Sequence, residues 1–116
     1  MVVKRIVVDV ATADVAGLRD FYAEVFDLDV AMDFGWIATL KGGVAAPVQI
    51  SVASEGGSGT PVPDLSIEVD DLDEVLEKVK ARGMPLEYGP VDEPWGVRRF
   101  FMRDPAGVLL NVLVHL

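Results

Sequence analysis

The sequence contains no cysteine and a single histidine, His115. Without cysteine the chain can form no disulfide, no thiolate nucleophile and no thiolate metal site. One histidine so near the end of the sequence argues against a Ser-His-Asp catalytic arrangement, and the chain carries neither a lysine-bearing phosphate loop nor a dinucleotide fingerprint. These classes of site are therefore not expected.

Basic residues are also scarce, with 10 Lys and Arg against 19 Asp and Glu and a formal net charge of −9. Binding to a phosphate backbone needs a basic stripe, so we expect no nucleic-acid partner. An acidic surface mainly favours solubility, although it can attract a cationic ligand. No apolar run reaches membrane-spanning length and the first residues lack the apolar core of a secretory signal, so we expect a cytoplasmic protein with no membrane partner.

The C-terminal stretch predicts a β-hairpin, because β-rich runs at 97–102 and 108–114 flank the turn sequence Asp104-Pro105-Ala106-Gly107. Side chains alternate between faces along each strand. Asn111 therefore shares a face with Leu113 and His115 and stands as one polar residue in the middle of an apolar strand. We look for function at this position.

Two helices and further strands are expected along the chain. The first helix begins after Thr12 or Asp14 and presents an apolar face. Asp71 opens the second helix, which ends at Arg82-Gly83. The helix-face residues of the first helix are Val15, Leu18, Tyr22 and Val25, and the other strands are expected at 2–10, 30–32, 35–40, 48–53, 65–69 and 86–88.

The two halves of the sequence have the same order of strand, helix and three strands. Leu18 and Leu72 are 54 positions apart, as are Val25 and Val79, and strands bearing Trp36 and Trp95 correspond. This pattern predicts one domain, 1–116, of class α+β, built from two βαβββ modules at about 2–54 and 63–116 with a linker at about 55–62. A helix behind each sheet leaves the opposite face free to form a cavity.

The whole chain resembles the glyoxalase, bleomycin-resistance and extradiol-dioxygenase superfamily, which has the vicinal oxygen chelate fold. The fold hosts several activities, so the resemblance is more specific for fold than for function. The motifs that carry it are Leu18-Arg19-Asp20-Phe21-Tyr22, Phe34-Gly35-Trp36, Val69-Asp70-Asp71-Leu72, Pro94-Trp95-Gly96 and Arg103-Asp104-Pro105-Ala106-Gly107.

Metal-dependent members of that superfamily hold a divalent ion with His and Glu side chains from the first and last strands of each half. The resemblance puts those positions on Arg5 (or Val7), Gln49, Asp64 and Asn111, none of which is a histidine. Imidazole and carboxylate ligands are what catalytic Zn, Fe or Ni sites need, so we expect no metal and no other cofactor. His115 lies roughly 13 Å along the strand from Asn111, and we expect it to be a surface residue.

The resemblance then favours the metal-free branch, typified by bleomycin-resistance proteins. It implies a homodimer that sequesters or senses a small organic ligand, such as a cationic, aromatic antibiotic, without chemical change. The alternative is an enzyme of the same superfamily, either a metal-dependent or an acid/base lyase, isomerase or dioxygenase; a third hypothesis is a purely structural dimer. The expected ligand-binding residues are Arg5, Trp36, Gln49, Asp64, Trp95, Phe101 and Asn111, with Asp64 as a buried or half-buried anion.

Other roles are open for several of these residues. Trp36 and Trp95 can instead pack the two sheets, and Gln49 and Asn111 can hydrogen-bond each other. Asp64 can form an ion pair with Arg5. The arginines at 98, 99 and 103 can clamp an anion or cover a sheet edge.

Overall fold

The computed structural model describes residues 1–26, 28–42, 49–105 and 107–116, without the side chains at 21, 22, 25 and 26. Within these residues the chain forms two helices and eight strands. They are β1 (Val3–Ala11), α1 (Val15–Phe26), β2 (Asp29–Asp33), β3 (Ile37–Lys41), β4 (Gln49–Ala53), β5 (Leu65–Val69), α2 (Leu72–Ala81), β6 (Tyr88–Glu93), β7 (Val97–Arg103) and β8 (Leu109–His115). Among the predicted positions, the side chains of Tyr22 and Val25 and the whole of Val48 and Ala106 lie outside this description.

The chain divides into two compact units. The N-terminal unit is Val7–Val62, and the C-terminal unit is Pro63–Leu116 together with Met1–Ile6. Each unit has the order strand, helix and three strands, and in each the first strand runs parallel to the last, β1 with β4 and β5 with β8. The remaining described strand pairs within the units are antiparallel. The α+β class with two βαβββ modules is thus confirmed.

Both helices begin at an aspartate that caps the exposed backbone N–H groups. The Asp14 carboxylate accepts the N–H of Gly17 at 2.9 Å, which decides between the two predicted capping residues in favour of Asp14. The Asp71 carboxylate accepts the N–H of Glu74 at 3.1 Å, as predicted. The second helix ends at Arg82, and Gly83 follows with a φ of 68°.

Each helix covers one face of its unit's sheet. In the N-terminal unit Val15 packs with Ala38 and Val52. In the C-terminal unit Leu72 and Val79 of α2 lie in the main core cluster, and the strand residues of that cluster are Ile67, Val69, Phe100, Met102, Leu110, Val112 and Val114. Because strand side chains alternate, the residues between these positions lie on the opposite face of the sheet.

The predicted hairpin of β7 and β8 is confirmed. The strands pair over seven residues, from Val97 opposite His115 to Arg103 opposite Leu109. At the turn Asp104 accepts the N–H of Gly107 through its carbonyl and the N–H of Val108 through its carboxylate. The turn therefore fixes the register, and the register fixes which side chains face α2.

Two parts of the expected strand pattern are wrong. The sixth strand was expected at 86–88 but covers Tyr88–Glu93 and includes Pro90. This strand lies at the sheet edge, with an irregularity between Tyr88 and Val91, and an edge strand tolerates a residue that cannot donate a ladder hydrogen bond. Trp36 and Trp95 were expected within strands but occupy the turns just before β3 and β7.

The glycine-rich segment 55–62 is folded into a turn. The Gly56 N–H donates to the Thr60 carbonyl at 2.8 Å, and the Thr60 hydroxyl donates to the Gly57 carbonyl at 2.7 Å. A Cβ on Gly56 would lie 2.0 Å from the backbone oxygen of Pro61, so the close backbone approach requires glycine.

None of the helices in the described ranges is long and apolar enough to span a membrane. A cytoplasmic location and a homodimer stay predictions.

Replacing Asp71 with Ala should lower the free energy of unfolding by about 1 kcal/mol, because the Glu74 N–H loses its acceptor. Urea unfolding followed by circular dichroism measures this. Glu77→Ala on the exposed middle of α2 is the matched control and should change the midpoint much less. Equal losses in both variants would contradict the capping role.

Candidate functional site

The face of the C-terminal unit that points away from α2 is rich in polar side chains. Arg5 joins this face through a contact with Glu68. We call it the polar face, and its members are Arg5, Ser66, Glu68, Arg99, Phe101, Asn111, Leu113 and His115. Alternation along β5, β7 and β8 puts the strand members together.

Asn111 lies at the centre of the polar face and is 9% exposed. Its neighbours across the ladder are Ser66 on β5 and Phe101 on β7. The Asn111 Nδ2 donates to the Ser66 hydroxyl at 3.1 Å. The Oδ1 atom is buried and has no hydrogen-bond partner among the described residues; we call it the open acceptor. If the amide is rotated by 180°, the Oδ1 and Nδ2 atoms exchange places. Ser66 then bonds one of the two atoms, and the other still has no hydrogen-bond partner among the described residues.

Arg99 is buried on the same face beside a buried carboxylate. The side chains of Arg99 and Glu93 are 4% and 2% exposed, and the Arg99 Nη2 lies 3.6 Å from the Glu93 Oε2. The Tyr88 hydroxyl donates to the Glu93 Oε1 at 2.5 Å. Burial lowers the pKa of the Arg99 guanidinium, while Glu93 and Tyr88 act in the opposite direction.

Three aromatic rings surround the same guanidinium. The Arg99 Cζ lies 4.8 Å from the centre of the Phe101 ring, 4.9 Å from that of Trp95 and 5.4 Å from that of Tyr88. These are distances at which a ring attracts a cation. Trp95 and Phe101, expected to line a ligand cavity, are therefore in contact with the protein's own cation.

The two neighbouring arginines of β7 are paired at the surface. Arg98 donates to both carboxylate oxygens of Asp92, at 2.6 and 3.1 Å, and this contact lowers the pKa of Asp92. Arg103 donates to Glu87 at 2.7 Å and to the carbonyl of Gly107 at 3.0 Å. Both arginine side chains are therefore bound by carboxylates at the edge of the sheet. This favours the hypothesis that the arginines cover the sheet edge over the hypothesis that they bind an anion.

Glu68 connects a cation and the histidine. Its Oε1 lies 3.1 Å from the Arg5 Nε and its Oε2 lies 2.5 Å from the His115 Nδ1. The Glu68 side chain is 13% exposed, against 39% for Arg5 and 53% for His115. Both oxygens of one carboxylate are therefore engaged, and His115 is a surface residue as expected.

The expectation that Asp64 is a buried or half-buried anion is wrong. Asp64 is exposed, and its carboxylate accepts the N–H of Leu109 at 2.9 Å while its own N–H donates to the Leu109 carbonyl. It precedes β5 and fastens that strand to the start of β8. Arg5, its suggested ion-pair partner, contacts Glu68, because that glutamate projects from within β5 onto the polar face.

The remaining two expected residues lie in the N-terminal unit. Trp36 is half-buried in the turn before β3, and its carbonyl accepts the N–H of Ser54 at 3.0 Å. Gln49 is the half-buried first residue of β4, opposite Lys41.

The N-terminal unit also has a polar pair on the face opposite α1. The hydroxyls of Thr39 and Ser51, cross-strand neighbours on β3 and β4, lie 2.7 Å apart and are buried. Each hydroxyl can satisfy the other, so the pair stabilises the sheet without a further partner.

The side chains at the implied metal positions do not match the His and Glu ligands with which metal-dependent members of the superfamily hold a divalent ion. No group of three His, Asp or Glu side chains within the described ranges is placed to hold an ion. At the positions implied by the resemblance, Arg5 is a cation, the Asp64 carboxylate binds a backbone N–H, and Asn111 offers one amide oxygen. A transition metal prefers imidazole and carboxylate ligands.

Sequence reasoning missed Glu68, Tyr88 and Glu93. The alternation of Ser66 and Glu68 with apolar residues in β5 was a usable signal of a polar face. Tyr88 and Glu93 gave no such signal, because the predicted strand 86–88 ended at Tyr88 and left Glu93 outside it.

Comparison with known proteins relates the whole chain to one superfamily. A family model described as Glyoxalase/Bleomycin resistance protein/Dioxygenase superfamily matches residues 4–112. No curated protein matches.

Similar solved structures carry different functional names. One is described as NAD-dependent benzaldehyde dehydrogenase from Legionella pneumophila, with 14% identity, a TM-score of 0.78 and coverage of 97% of this chain and 100% of that one. A variant of methylmalonyl-CoA epimerase from Streptomyces coelicolor has 17% identity, a TM-score of 0.73 and coverage of 98% and 99%. A superfamily member from Vibrio splendidus 12B01 has 16% identity, a TM-score of 0.66 and coverage of 99% and 100%.

At these identities the similarity establishes the fold and leaves the activity open. The family match extends from β1 to β8 and agrees with the two βαβββ modules. The chain belongs to the Glyoxalase/Bleomycin resistance protein/Dioxygenase superfamily.

Proposed function

We propose that the protein binds a small organic molecule at the polar face of its C-terminal unit, as a sequestering or sensing protein, without a metal ion as anchor. The observation that carries this proposal is the open acceptor of Asn111. A ligand N–H or O–H group is the partner that this oxygen accepts.

Burial makes the open acceptor of Asn111 energetically costly. A buried polar atom without a partner costs about 1–3 kcal/mol, and proteins keep few of them. Asn111 is held in place by Ser66, so its amide cannot turn away without losing that hydrogen bond. A ligand that donates to the open acceptor recovers the cost.

The donor chemistry of the chain supports an anchor other than a metal ion. Arg5 repels a cation, and Asp64 stabilises the start of the β5–β8 pair. Asn111 alone is a weak ligand for a transition metal. Its amide can serve a hydrogen-bonding site without a metal.

The charge of the ligand follows from the local charges and differs from what the net charge of −9 indicates. On the polar face Arg5 is paired with Glu68, and Arg99 with Glu93. The aromatic rings that would attract a cationic ligand surround Arg99. We therefore propose an uncharged ligand with an N–H or O–H donor, and the cationic aromatic ligand expected from the sequence becomes the competing outcome.

Benzamide, benzamidine and benzoate form a matched test of this ligand class, because they share a ring and differ in charge and donors. Benzamide alone is both uncharged and an N–H donor, so it should raise the melting temperature most. At ten times its dissociation constant the added stability is about 1.4 kcal/mol. Thermal-shift measurements with and without a chelator check this, and the chelator should change nothing.

Asn111→Leu should abolish the response to benzamide and leave the protein at least nearly as stable, because a buried amide is replaced by an apolar group of similar size. Glu77→Ala is the control and should respond as the wild type does. A stronger response to benzamidine, an unchanged response in Asn111→Leu, or a response that needs added metal would contradict the proposal.

Arg99→Ala should destabilise the protein by about 3 kcal/mol or more, because Glu93 is left buried without its cation. Arg98→Ala, one residue earlier, removes an exposed ion pair and should cost far less. Urea unfolding compares the two variants. Millimolar methylguanidinium should restore stability to Arg99→Ala only, since it can enter the vacated aromatic site; equal losses, or rescue of neither variant, would contradict the structural role of Arg99.

A further inference from the structure

The contact between Glu68 and His115 assigns the hydrogen on the imidazole. An ionised carboxylate only accepts hydrogen bonds, so the Nδ1 atom, 2.5 Å from the Glu68 Oε2, carries the hydrogen. In the neutral ring the Nε2 atom on the other edge is then the basic atom. The His115 side chain is 53% exposed, so that edge of the ring reaches solvent.

Backbone hydrogen bonds and a second ion pair hold this arrangement in place. His115 is the last residue of β8 and pairs with Val97, and the next residue, Leu116, donates its N–H to the Gly96 carbonyl. Glu68 is 13% exposed and is fixed from its other oxygen by Arg5. A carboxylate fixed in this way orients a histidine and fixes its tautomer, as in other histidine–carboxylate pairs.

We propose that Glu68 and His115 form a proton-transfer dyad that accepts a weak organic acid with an ionisable O–H group. In the transfer the O–H bond of the acid breaks, a bond forms between the proton and Nε2, and the electron pair stays on the acid oxygen. The new imidazolium keeps its Nδ1–H hydrogen bond to the Glu68 carboxylate. Neither an oxidant nor a metal takes part.

The charges around the dyad remain balanced during this transfer. Before it, Arg5 and Glu68 cancel and His115 is neutral. After it, the imidazolium and the bound anion also cancel. The other charged groups of the polar face and its edge, Arg99 and Glu93, already neutralise each other. Proton transfer therefore separates charge only over the short distance between ligand and ring.

The dyad is distinct from the open acceptor, because His115 lies four residues beyond Asn111 on the same strand face, roughly 13 Å away. It therefore goes beyond the proposed binding function and adds an acid–base activity. If the dyad proposal is wrong, the expected response of the wild-type protein to benzamide does not change. The two proposals can therefore be tested separately.

Nitrogen NMR of the imidazole is the first test, because the chain has a single histidine and its ring signals need no assignment. The neutral ring should carry its hydrogen on Nδ1 in the wild type and lose that preference in Glu68→Leu, which removes the acceptor oxygen. A ring with its hydrogen on Nε2, or the same tautomer in both proteins, overturns the proposal.

The second test uses 4-nitrophenol, whose yellow phenolate is followed by absorbance with protein in excess. An adjacent imidazolium should lower the pKa of the bound phenol by about one unit, which gives roughly tenfold more phenolate relative to phenol at a fixed pH. His115→Gln should abolish the effect, and Lys80→Gln on α2 should retain it. An unchanged phenolate fraction in the wild type, or an equal increase in His115→Gln, overturns the proposal.

Discussion

The register between β7 and β8 determines the chemistry of the C-terminal unit. Asp104 closes the turn with two hydrogen bonds, and the strands then pair residue by residue over their whole length. A shift by one residue would turn Phe100 and Val112 away from α2 and bring Arg99 and Asn111 into the core. The cost of burying those polar groups against the helix makes the register specific, and the polar face follows from it.

Most charges on the polar face are satisfied within the chain. Glu68 binds Arg5 and His115, and Glu93 binds Arg99 and Tyr88. Such a network provides no free carboxylate set for a metal. Within the described part of the chain, the groups that point to external chemistry are the open acceptor of Asn111 and the exposed edge of His115.

The sequence predicted the fold because the fold depends on local signals. Capping aspartates, the turn at Asp104 and the spacing of apolar residues all act over a few positions, and the structure agrees with each. The site was less predictable, because the partner of each charged side chain depends on which residues face each other in three dimensions. The sequence suggested Asp64 as the partner of Arg5, but Glu68 is the carboxylate that lies on the polar face beside it. Nothing local distinguishes Arg99 from Arg98, yet one is buried among aromatic rings and the other is exposed.

The central claim is that the amide of Asn111, and not a metal, anchors the ligand of this protein. A crystal structure of the protein soaked with benzamide and with Ni²⁺ or Zn²⁺ tests it most directly. The account predicts a benzamide N–H within hydrogen-bond distance of the Asn111 amide and no anomalous signal beside Arg5, Asp64 or Asn111. An ordered metal ion coordinated by those side chains, with Asn111 as one of its ligands, would contradict it.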